Sequence, residues 1–203
     1  MKKSKSMFVL ALIVSVSLSL FACGNSNNQK KVVGQHDHEA KANEAGHAMS
    51  ESVEMTMKQN STITILIDNY LEIKNALVQD NSKAAANAGQ KLSEAALQIN
   101  LASYDATKQA EIKEILEVVK VHGKHIAKSE IAHQREHFES MAKDFVDLIA
   151  LTGTDRTLYQ QYCPMFNKGK GGSWLSTSSE IQNPLFGSKM LTCGSVKETI
   201  SMK

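Results

Sequence analysis

Two short runs near the C-terminal end carry residues suited to hold a soft metal: Cys163-Pro164-Met165 and Met190-Leu191-Thr192-Cys193. In an extended stretch positions 163 and 165 project to one side, and on a helical turn positions 190 and 193 do. Two thiolates and two thioethers are therefore available if the runs meet. Such sulfur ligands select Cu(I) or Ag(I), and Pro164 stiffens the first pair, which reduces the entropy lost on binding. Cys163, Met165, Met190 and Cys193 are the first candidate metal set. The two cysteines equally suit a plain disulfide, which an oxidising compartment permits and which stabilises by about 3–4 kcal/mol when it closes a loop of roughly 30 residues. Spacing leaves both readings open. Trp174 and Phe186, between the runs, read as core anchors.

Histidine supplies a second candidate set. His122 and His125 precede Ser129, and His133 and His137 follow it, so an antiparallel hairpin turning there puts the two pairs at one level. The spacings of three and four place each pair on one face of its helix, where imidazoles could converge on Zn(II) or Cu(II). The competing reading is four half-exposed helix histidines, because His133 and His137 fall at the edge of the apolar face. Further possible ligands, His36, His38, His47, Met49, Met55 and Met57, lie in a stretch without aromatic residues, proline or apolar period. That stretch, 23–58, reads as a flexible linker able to capture copper, or as polar filler.

The elements that must position these residues are helices. Ile63, Leu66, Tyr70, Ile73 and Leu77 predict a helix over about 62–80, and Ala85, Ala88, Leu92, Ala95 and Ile99 a second over about 82–100 with a small-residue face. Ile112, Ile115, Leu116, Val119 and Ile126 predict a third over about 106–128, and Ile131, Phe138, Met141, Phe145 and Leu148 a fourth over about 130–152. Helices of this length joined by short polar turns make an all-α, four-helix up-down antiparallel bundle. Arg135 is expected to pair with a bundle carboxylate such as Glu139 or Glu111. Beyond Thr154 lie both prolines, the single tryptophan and five of the eleven glycines, so the C-terminal segment is expected to be loop-rich, without strands, and packed on the bundle.

The chain has 203 residues, 42% hydrophobic and 22% charged, consistent with one soluble domain over 59–203. At its start, three lysines precede an apolar run that ends at Leu20-Phe21-Ala22-Cys23, the pattern of an export signal over 1–22. The run is too short to span a bilayer, and the cysteine at its end resembles the lipid-acceptor position of bacterial lipoproteins. Cys23 is thus the expected lipidation site, carrying acyl chains of the palmitate kind, and Gly24 after it suits the periplasmic face of the outer membrane. Removing Lys2, Lys3 and Lys5 with the signal takes 23 basic residues to 20, against 21 acidic, so no cationic surface for nucleic acid is expected.

Tyr162-Cys163-Pro164-Met165, Gly171-Gly172-Ser173-Trp174-Leu175, the run from Ile181 to Gly194, and Gln134-Arg135-Glu136-His137-Phe138 together resemble the bacterial envelope family called domain of unknown function 3347, over about residues 60–200. Leu185 stands where an aromatic is commoner in that family. Members of that family occur alone on lipoproteins or fused to periplasmic adaptors of heavy-metal efflux pumps, so the resemblance implies a link to copper or silver handling. The expected function is a lipid-anchored metal-binding or buffering protein linked to efflux. The alternative is a structural interaction module of an envelope complex, locked by a Cys163–Cys193 disulfide. No P-loop, dinucleotide-binding glycine fingerprint or HExxH motif is present, and no enzyme is expected.

Overall fold

The computed structural model describes residues 62–202. The export signal, the linker over 23–58 and Cys23 lie outside the described residues. The chain is predominantly helical with a small three-stranded sheet in its C-terminal part.

Helix α1 covers 62–78 and buries Ile63, Leu66, Ile67, Tyr70, Ile73 and Leu77 along one stripe. It ends where Asp80 turns left-handed at φ 55°, while the N–H of Asn81 donates to Ala76 O at 2.9 Å. That is a C-terminal capping turn in which glycine or asparagine is the usual residue, so aspartate there needs a compensating contact. Asn81 then caps α2 (Ser82–Ala95), its side chain accepting from the Ala84 N–H at 2.9 Å. The second helix is shorter than its periodicity predicts. Ile99 adopts extended backbone and Asn100 caps a new turn by accepting from Ala102 N–H, so residues 96–103 form two short 3-10 turns instead.

Helices α3 (Ala106–Lys128) and α4 (Ile131–Thr152) follow the expected spans within a residue or so, and only Ser129 and Glu130 separate them. Their chain directions must reverse across so short a link. Helix α2 packs on α3, and α3 on α4. The small face of α2 does what its residues suggest: a Cβ built on Gly89 would lie 2.8 Å from Gly123 O, and one on Gly123 would lie 2.8 Å from Gly89 O. The two backbones therefore touch. Tyr70 stacks on Phe138 at 4.8 Å between centroids and leans on Phe145 at 4.3 Å, which ties α1 to α4 in one shared core.

The expectation that the C-terminal segment has no strands is wrong. Strands β1 (Leu158–Cys163), β2 (Gly172–Ser176) and β3 (Ser195–Ile200) form an antiparallel sheet in the order β2-β1-β3. Gln161 and Ser176 are buried, and β3 is exposed almost throughout, so apolar alternation is masked. Gln161 is satisfied inside: its amide donates to Ser178 O at 2.8 Å, and its carbonyl accepts from Trp174 Nε1 at 2.7 Å. Trp174 is fully buried, as expected of a core anchor; β2 lies against α4, and its Leu175 N–H donates to the hydroxyl of Tyr70 on α1. Phe186 is half-buried, packed against the same core. A four-residue helical turn, α5 (Phe166–Gly169), links β1 to β2.

Arg135 does not pair with Glu139 or Glu111. Its guanidinium donates to Asp80 Oδ1 at 2.5 Å, Leu77 O at 3.0 Å and Pro184 O at 2.9 Å. These acceptors lie at the end of α1 and in the C-terminal segment, far from α4 in sequence, and a helical-neighbour argument does not reach them.

Candidate metal centre

The two-residue turn at Ser129-Glu130 sets the register of the hairpin, and it brings all four predicted histidines together. His122 Nδ1 lies 2.9 Å from His137 Nδ1, and His137 Nε2 lies 3.0 Å from His133 Nε2. His125 stacks on His137 with centroids 4.4 Å apart. One ligand nitrogen from each of His125, His133 and His137 falls within 4.8 Å of the others. Imidazole nitrogens bound at about 2.1 Å to a tetrahedral ion are roughly 3.4 Å apart, so seating one requires side-chain rotations that close the set and unstack His125 from His137. His125 and His133 are exposed, while His122 and His137 are half-buried, which leaves an approach from solvent.

The hydrogen bonds form a directed chain. His133 Nδ1 lies 2.8 Å from Glu136 Oε2, and a carboxylate only accepts, so Nδ1 carries the proton and Nε2 the lone pair. With neutral rings, His137 Nε2–H then donates to His133, and His122 Nδ1–H donates to His137. Burial, followed by the neighbouring charges of His125, His122 and His133, lowers the His137 imidazole to about 4. His122 is lowered too, by burial first, although Asp144 pulls it the other way. Both rings are held neutral at pH 7, the form that ligates metal. Glu136 fixes the orientation of His133 as carboxylates do for metal-bound histidines. The sequence reading missed Glu136 and Asp144, although Glu136 lies three residues after His133 on one helix face, a visible i,i+3 signal.

The sulfur set is brought together only in part. Tyr162 pairs with Ser195 across β1 and β3, which carries the neighbouring Cys163 toward Cys193. Their sulfurs lie 2.7 Å apart, both as free thiols, well short of the roughly 3.8 Å at which two thiolates share a tetrahedral metal. Cys163 is buried and Cys193 half-buried; the Cys163 sulfur, ahead of burial, pushes the Cys193 thiol up. Met190 is half-buried, and Met165 is 57% exposed, with its backbone N–H reaching the Cys193 thiol.

Residues 66–157 match the model of a family described as protein of unknown function, DUF3347. This stretch of the chain belongs to that family. The DUF3347 match holds most of α1, all of α2, α3 and α4, and the four clustered histidines. It ends before Cys163, so the candidate sulfur ligands lie beyond it, and it is shorter than the span the sequence resemblance covers. No curated protein and no solved structure matches the chain. Among the described residues, no helix is long and apolar enough to cross a membrane.

Proposed function

We propose that this chain is a metal-binding protein of the bacterial envelope, held to the membrane by lipid on Cys23, that buffers copper or silver or passes it to efflux components. It acts as a binder and not as an enzyme. In this reading α1 to α4 form an up-down antiparallel four-helix bundle, and the α3–α4 hairpin presents the metal centre. The observation that carries the reading is the approach of His125, His133 and His137 within 4.8 Å, with His122 against His137. Imidazole clusters suit Cu(II) or Zn(II), so the histidines take the borderline divalent form of the cargo. The linker over 23–58 is a collecting arm on the periplasmic face of the outer membrane.

Titration of metal-free full-length protein with Cu(II) and Zn(II) tests this. One bound equivalent is expected to vanish in the double variant His133→Ala with His137→Ala, and nitrogen hyperfine structure is expected in the Cu(II) spectrum of the unaltered protein. Unchanged stoichiometry in the double variant would overturn the site.

The second reading, a structural interaction module, is favoured by one observation, the 2.7 Å approach of the Cys163 and Cys193 sulfurs. Thiol titration of unreduced mature protein, whose Cys23 sulfur carries the lipid, separates the two. Two free thiols would support the Cu(I) set of Cys163, Met165, Met190 and Cys193; none would support the locked module.

A further inference from the structure

A cavity of about 570 Å³ opens between α4 and the C-terminal segment, a size typical of small-molecule sites. Phe166, Leu185 and Phe186 make its apolar wall, the two phenyl rings meeting edge to face with centroids 5.9 Å apart. Gly172 is required behind that wall, since a Cβ there would lie 2.7 Å from Leu185 and 2.8 Å from both Phe166 and Glu139.

Most of the charges lining the cavity are engaged elsewhere. Arg135 is held by Asp80 and two carbonyls, and Glu136 by His133. Glu139 accepts from the Ser173 backbone N–H, and burial pushes its carboxyl up, toward the neutral form. Lys168 and Lys189 remain. Both are exposed, and neither makes an ion pair with another described residue. Lys168 and Asn167 are also held left-handed, at φ 58° and 50°, an unfavourable conformation for residues with side chains that tends to gather at ligand clamps. An apolar wall combined with two unpaired ammonium groups complements a molecule that has an apolar body and an anionic head.

We propose that this cavity binds a small amphipathic carboxylate, its body on Phe166, Leu185 and Phe186 and its head between Lys168 and Lys189. The cavity borders the histidine cluster through Glu136, which lines it and holds His133, but the proposal does not rest on metal binding.

The test titrates full-length protein with 4-phenylbutyrate, octanoate and the charge-reversed 4-phenylbutylamine, followed by amide NMR shifts. Saturable shifts centred on 166–168 and 185–189 are expected with the carboxylates and not with the amine. The double variant Lys168→Gln with Lys189→Gln, both at exposed positions, is expected to bind about tenfold more weakly because two charge-assisted contacts are lost. Its thermal midpoint serves as the folding control. No saturable binding of either carboxylate, equal binding of the amine, or unaltered affinity in a folded double variant would each overturn the proposal.

Discussion

Arg135 reaches across 55 positions to Asp80, and the same carboxylate accepts the Ser188 backbone N–H at 3.0 Å. One ion pair thus joins the end of α1, the N-terminal part of α4 and the C-terminal segment. It also explains why an aspartate occupies a left-handed turn: the backbone cost there, about 1–2 kcal/mol, is offset by a carboxylate held by both Arg135 and Ser188. Gly187, at φ 59°, is needed beside it, because a Cβ would lie 2.3 Å from Asp80 Oδ1.

Arg135→Ala leaves Pro184 O without its donor, leaves Leu77 O with the Asp80 N–H alone and breaks the pair with Asp80, and is expected to destabilise the fold by about 2–4 kcal/mol in urea unfolding. Asp80→Asn keeps the left-handed turn and removes only the charge, at a smaller loss of about 1 kcal/mol for a partly exposed pair. Hydrogen bonds from Ser188 and Arg135 lower the Asp80 carboxyl to about 2. Because the folded value is depressed, its stabilisation is complete above the unfolded value near 4 and is lost as pH falls toward 2. Asp80→Asn should flatten that acid limb. An unaltered limb in the variant would assign it to other carboxylates.

Gly123→Ala would ordinarily strengthen a helix by up to about 1 kcal/mol. Here the added methyl meets Gly89 O at 2.8 Å and Ser93 at 3.1 Å, so a net destabilisation of about 1–3 kcal/mol is expected. A thermal midpoint equal to or above that of the unaltered protein would show that α2 and α3 can separate freely.

Gln161→Leu removes the acceptor of the buried Trp174 indole N–H and is expected to cost about 1–3 kcal/mol, although leucine is the more apolar residue. The tryptophan fluorescence maximum reads the same change locally.

Glu136→Gln should weaken Cu(II) or Zn(II) at the histidine cluster by about 10- to 100-fold, since His133 loses the charged group that holds its Nδ1–H. Glu136 is a positioning residue, so stoichiometry should stay the same while affinity falls. An unchanged affinity would mean that His133 does not need this partner to ligate.

The helices were legible because their signal is local: apolar residues three and four apart define a stripe wherever the rest of the chain goes, and Leu66, Tyr70, Ile73 and Leu77 are all buried as their spacing requires. The histidine cluster was legible for the same reason. A link of two residues between α3 and α4 leaves little freedom in the hairpin, so sequence distance from Ser129 translates into height along it. The sheet was not legible, since its β1 pairs with segments up to about forty residues later and its buried Gln161 and exposed β3 erase the alternation that marks a strand. Cys163 and Cys193 were visible as ligand types, but their 2.7 Å approach depends on that strand pairing. Arg135 was visible as a buried-pair candidate, yet its choice of Asp80 over Glu139 follows from how the end of α1 and the C-terminal segment meet α4. Local periodicity is written in neighbouring residues, whereas the partners of a buried polar group and the walls of a cavity come from segments that only the folded chain brings together.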